Sequence, residues 1–123
     1  MKRSRFAMLS RGRTSTRGEM NRTEQQYANE LQLDPGVLRW WYEPMSLRLS
    51  SPPEGQPARY TPDFLILMTD GTTFVDDVKG SGLDDPASLV RIKCAAEAYP
   101  LWVFRVVKRR TKRDGGGWSV REV

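Results

Sequence analysis

The chain has 123 residues, room for one compact domain with a single core and too few for two ordinary ones. One cysteine and no histidine exclude an internal disulfide, a multi-cysteine zinc site and the commonest general base, so any catalysis must use carboxylates, lysine or hydroxyls. The net charge of +5 is unevenly spread: residues 1–22 carry seven Lys/Arg against Glu19 alone, 105–113 carry six against none, and 23–104 hold six against twelve Asp/Glu, a balance suited to gripping a polyanion while offering carboxylates to a metal ion.

Residues 1–22 show no apolar period and contain Gly, Ser and Thr, which predicts a flexible basic arm that orders on a partner. A single domain is expected over 23–123. Glu24, Tyr27, Ala28 and Leu31 fall at i, i+3, i+4 and i+7, one face of a helix that should stop before Asp34-Pro35-Gly36. An acid on that inward stripe needs a reason. Val37 to Leu49 is rich in strand formers but interrupted by Pro44, which predicts a broken strand with a second segment near Ser46–Leu49. Within it Trp40, Trp41 and Tyr42 can stack on bases or pack at a dimer contact, with at least one in the core.

Residues 50–59 read as a loop. Pro62–Met68 and Thr73–Lys79 form a hairpin around Asp70-Gly71. The run Phe64–Met68 is the longest apolar stretch and far too short for a bilayer span or a signal-peptide core, so a soluble protein that stays in the cytoplasm, with no membrane partner, is expected. Asp85-Pro86 opens a second helix, with Leu89, Ile92, Ala96 and Tyr99 on its apolar face and Cys94 in its packing. Leu101–Val107 then follows as a buried strand parallel to an earlier one. Trp118–Val123 can add a short edge strand. The result is an α/β fold, a mixed central sheet flanked by helices in the order α-β-β-β-α-β.

Strand alternation places Asp77 and Lys79 on one face and Asp76 and Val78 on the other. With Pro62-Asp63 on the neighbouring strand, two carboxylates and an ammonium converge, a cluster able to hold a divalent cation beside a phosphate. Asp76 rivals Asp77, because a one-residue slip exchanges their faces; only Asp77 stands at i, i+2 to Lys79. Taken singly the residues are ordinary. Asp63 can cap a strand, Asp77 with Lys79 can be a surface ion pair, Glu24 can reach solvent past Tyr27, and Lys93 can be an exposed helix lysine.

Pro62-Asp63 followed at hairpin distance by Asp77-Val78-Lys79 resembles the signature of the PD-(D/E)XK nuclease superfamily. A closer likeness is to small phage-encoded proteins of that superfamily, with an aspartate-phenylalanine strand, a D-V-K-G box and a lysine-bearing helix; Asp63-Phe64, Asp77-Val78-Lys79-Gly80 and Lys93 match in order. The Glu24 helix corresponds to the superfamily's first helix, and the likeness spans roughly residues 22–108. It implies a restriction-endonuclease-like core and a phage protein acting as an endonuclease on DNA in a bacterial host, with branched or Holliday-junction DNA as one substrate and a homodimer as its assembly. A catalytically silent protein that kept the fold to bind nucleic acid or a host protein is the alternative.

The chemistry fits the residue types. Phosphodiester hydrolysis needs an activated water while negative charge builds on the phosphate and the leaving oxygen, and Mg²⁺ can stabilise both. Asp63 and Asp77 would supply hard oxygen ligands, and the resemblance adds the Val78 carbonyl; Mn²⁺ can substitute. Lys79 would orient or help deprotonate the water and offset phosphate charge. Glu24 would hold a second ion or a water of the first. Lys93, Arg105, Lys108, Arg109 and Arg110 are the expected nucleic-acid contacts, the last four within a basic run that extends over 105–113 as a phosphate track.

Overall fold

A computed structural model of the chain describes residues 12–13, 19–50 and 58–123. Most of the expected arm lies outside them. Of residues 1–22, Gly12–Arg13 form a two-residue strand (β1) and Arg22 opens the first helix, α1, Arg22–Leu33. Asn21 caps α1 in a reciprocal box: its Oδ1 accepts from the Glu24 amide at 2.8 Å while Glu24 Oε1 accepts from the Asn21 amide at 2.9 Å. Glu24, Tyr27, Ala28 and Leu31 are buried, the four residues that the helical period places inward.

Strand β2 covers Val37–Tyr42 and ends at Glu43, whose φ of 45° beside Pro44 turns the chain out of the sheet. It resumes as β3, Leu47–Ser50, paired antiparallel with β4, Ala58–Tyr60. The hairpin forms from β5, Phe64–Met68, and β6, Thr73–Lys79, but its first strand starts two residues later than expected, so Pro62 and Asp63 lie in the bend that enters it. In its turn Gly71 sits at φ 92° and the Asp70 carboxylate accepts from the Thr72 amide. Helix α2, Pro86–Ala98, is capped by Asp85 and leads to β7, Val103–Arg109, which runs parallel to β6. Strand β8, Trp118–Glu122, closes one edge antiparallel to β7.

The main sheet is mixed, in the order β1-β2-β5-β6-β7-β8. The expected element order therefore needs correcting: β1 precedes α1, the broken segment is two strands in two sheets, and β4 forms at the end of the expected loop. A core lies on each face. On one, Tyr27, Ala28 and Leu31 of α1 pack on Trp40, Tyr42, Phe64, Ile66 and Val107. On the other, Ile92 and Ala95 of α2 join Val75, Phe104 and Val106, with Leu47 and Tyr60 of the β3–β4 pair. Of the aromatic triplet, Trp40 and Tyr42 belong to the core and Trp41 is half-buried.

Candidate functional site

Strand β6 separates its two adjacent aspartates by alternation. Asp76 points to the α1 core, fully buried, and both its oxygens are engaged: Arg105 Nε donates to Oδ1 at 2.8 Å, Arg105 Nη2 to Oδ2 at 2.7 Å and the Tyr27 hydroxyl to Oδ2 at 2.5 Å. Burial pushes the Asp76 carboxyl up, while Arg105 and Tyr27 pull against it. Because every donor in the cluster aims at Asp76, we take it as ionised and its role as structural. Burial, reinforced by the Asp76 charge, raises the Tyr27 phenol far above its usual range, so it remains a donor.

Asp77 points the other way, with Lys79. The Lys79 ammonium lies 2.7 Å from Asp77 Oδ2 and donates to Ser88 Oγ on α2 at 2.5 Å. The Tyr60 hydroxyl donates to Asp77 Oδ1 at 3.0 Å. Asp77 Oδ2 is buried and has the Lys79 ammonium as its one partner among the described residues, so a carboxylate oxygen has a lone pair left over at the site.

Asp63 joins this group from the bend that enters the neighbouring strand. The β5–β6 register sets Phe64 against Asp76, so the next position outward brings Asp63 beside Asp77, and Asp63 Oδ2 accepts from the Val78 amide at 2.7 Å. Its carboxyl is pushed up to about 8, first by burial, then by the Asp77 charge and by the charge and hydrogen bonding of Glu24, against the Val78 amide that favours the anion. Glu24 is steadied by the Tyr42 hydroxyl, which donates to Oε1 at 2.8 Å, so the acid on the buried stripe of α1 reaches the same end of the sheet. Asp63 therefore feels both Asp77 and Glu24, and Lys79 is the ammonium paired to Asp77. No group of three or more Asp, Glu or Cys side chains that could hold a metal ion occurs among the described residues.

No family model, curated protein or solved structure matches the chain.

Asp63, Asp77, Lys79 and Glu24 are thus brought together, and Val78 enters through its amide. The expected nucleic-acid contacts divide. Lys93 is exposed on the outer face of α2, beside Val90, Cys94 and Glu97, because Ile92 and Ala95 take the inward face; it does not reach over the site. Cys94 is exposed too, not packed. Arg105 is committed to Asp76 and lies over the Phe74 ring at 3.6 Å from the centroid, so it is a core cation and not part of a phosphate track. Lys108 pairs with Asp84 at 3.3 Å, Arg109 lies over Trp118, and Arg110 donates to the Asp114 carbonyl.

Three site residues escape the sequence pattern. Tyr60 falls between the expected loop and the expected hairpin, Tyr42 in a triplet read for base stacking, a dimer contact or the core, and Ser88 on a helix whose stripe reads as purely apolar. One signal existed: Ser88, Ile92 and Ala95 fall at i, i+4 and i+7, so a hydroxyl continues the buried face of α2.

Proposed function

We propose that this chain is a divalent-cation-dependent DNA endonuclease built on a restriction-endonuclease-like core. The observation that carries the reading is the meeting of Asp63, Asp77 and Lys79 at the end of the β5–β6 hairpin, with a buried Asp77 oxygen whose partner is the Lys79 ammonium. Burial first, and then the charges of Asp77 and Glu24, lift the Asp63 carboxyl to about 8, so the group is short of positive charge, and a hard cation would supply it. Asp63 and Asp77 would hold the ion, with the Val78 carbonyl as the third oxygen that the superfamily likeness suggests. When bound, the cation supplies Lewis-acid stabilisation of charge on the phosphate.

The remaining roles fall to the chain. Lys79, held between Asp77 and Ser88, offers N–H donors to a water or a phosphate oxygen and offsets the charge that builds there. Tyr60 keeps Asp77 turned to the site, and Tyr42 does the same for Glu24. Branched DNA and a homodimeric assembly belong to the proposal as its narrower form.

One observation favours a second reading, a silent protein that binds nucleic acid without cutting it: among the described residues no three carboxylates are placed to share an ion. Plasmid and four-way-junction DNA incubated with Mg²⁺, Mn²⁺ or EDTA separates the two. Cleavage that needs the cation and disappears in Asp77→Asn and Lys79→Ala establishes the enzyme. Binding without cleavage under any cation establishes the silent reading.

A further inference from the structure

The basic run 105–113 is not one track, because the sheet divides it. Lys79 and Lys108 are register partners on adjacent parallel strands, so their side chains leave the same face, while Arg105 and Arg109 leave the other. Beyond Arg109 the chain turns and returns as β8, with Lys108 opposite Ser119. Where β6 exits and this turn begins lies an open cleft of about 470 Å³. At the end of β7 the cleft is reached from both faces, so Lys108, Arg109 and Arg110 all line it, together with Ser81, Thr111 and Ser119.

Lys108, Arg109, Ser81 and Ser119 can donate to an anion there, while the Thr111 hydroxyl proton and one Arg110 N–H already go to Asp114. Asp114 also lines the cleft, yet its carboxylate accepts from Thr111 Oγ1 at 3.0 Å and is turned into the hairpin. Asp84 holds Lys108 through a 3.3 Å contact with both side chains partly exposed, a pair worth little that can give way to a phosphate. The Trp118 ring supports the face of the Arg109 guanidinium at 5.1 Å and leaves its N–H edges free of that contact. One residue, Gly80, separates Lys79 from Ser81, at most about 7 Å of chain, on the order of the distance between neighbouring phosphates of one strand.

We propose that this cleft is a subsite for a nucleic-acid phosphodiester one to two nucleotides from the bond held at Asp63 and Asp77. Its position on the strand rests on the nuclease reading; its affinity does not. The Glu24, Asp63 and Asp77 group repels a polyanion when no cation is bound, so the cleft supplies attraction that persists in EDTA.

Fluorescence anisotropy of a labelled duplex oligonucleotide, titrated in EDTA over a series of salt concentrations, reads this directly. Lys108→Gln with Arg109→Gln is expected to weaken binding about tenfold at low salt and to make the slope of log affinity against log salt shallower by about one to two. Arg48→Gln with Arg91→Gln, which removes the same charge from exposed positions on β3 and α2, should leave the slope unchanged. Lys108→Gln alone, at an exposed pair, gives the same direction should the double variant melt early. An unchanged slope in the cleft variants, an equal loss in the controls, or a wild-type protein that does not bind the duplex overturns the subsite. Binding with the expected slope change but no cleavage under any cation leaves the subsite standing and removes the nuclease reading; cleavage with an unchanged slope does the reverse.

Discussion

Asp63 is where stability and chemistry oppose each other most sharply. Its carboxyl is raised from 3.8 to about 8 in the folded chain, so between those values the native state holds a proton that the unfolded chain has released. The contribution of this group to folding stability is therefore full below about pH 4, falls as pH rises through the folded value near 8, and levels off beyond it. Asp63→Asn removes the charge yet keeps an oxygen for the Val78 amide. Urea denaturation in EDTA should show the variant more stable than the parent above pH 8 by on the order of 1–2 kcal/mol, with a flatter profile on the acid side. A parent profile that rises with pH across this window contradicts the account. Loss of DNA cleavage in the same variant would give the gain in stability its functional cost.

Strand β6 carries the discrimination that matters at the scale of the element, since adjacent aspartates serve opposite faces. Asp76→Ala leaves the Arg105 guanidinium half-covered without its partner and should cost about 3–5 kcal/mol. Asp77→Asn keeps the Tyr60 hydrogen bond and relieves crowding among carboxylates, so its unfolding free energy should stay within about 1 kcal/mol of the parent. Paired denaturation curves decide it, and equal losses would mean that the faces are misassigned. The sequence made this contrast legible: the i, i+2 spacing of Asp77 and Lys79 picks the site-facing acid, and the stripe through Glu24 places a third acid inward. The hairpin turn was equally plain in Asp70-Gly71.

What stayed hidden depended on long-range pairing. Residues 58–60 have no strand pattern of their own and become β4 by pairing with β3, which carries Tyr60 to Asp77. Nothing local in V-F-R-V-V-K-R tells Arg105 from Arg109; Asp76 across the register is what draws Arg105 into the core. Lys93 shows the converse error. A lysine at the right distance along a helix reads as a site residue until the helix is rotated by its own apolar contacts, here Ile92 and Ala95.

For the molecule as a whole, the two cores close the sheet from both faces, and the acidic group sits at the end of the β5–β6 hairpin where β3–β4 and both helices contribute a contact. Unfolding must disperse Glu24, Asp63 and Asp77, which come from three separate elements, so a cation held between them binds the native chain and not the unfolded one. A ligand present at tenfold over its dissociation constant then adds about 1.4 kcal/mol of stability. For a chain of 123 residues that corresponds to a rise in melting temperature of about 4–8 °C. Thermal melts with Mn²⁺ or Mg²⁺ should show it, and Ca²⁺, which also prefers oxygen ligands, should shift the melt even if it supports no cleavage. The shift should vanish in Asp63→Asn and Asp77→Asn but persist in Lys108→Gln, whose side chain pairs with Asp84 outside the carboxylate group. A melt indifferent to all three cations would remove the metal from the proposed chemistry while leaving the proposed phosphate subsite at the basic cleft to its own test.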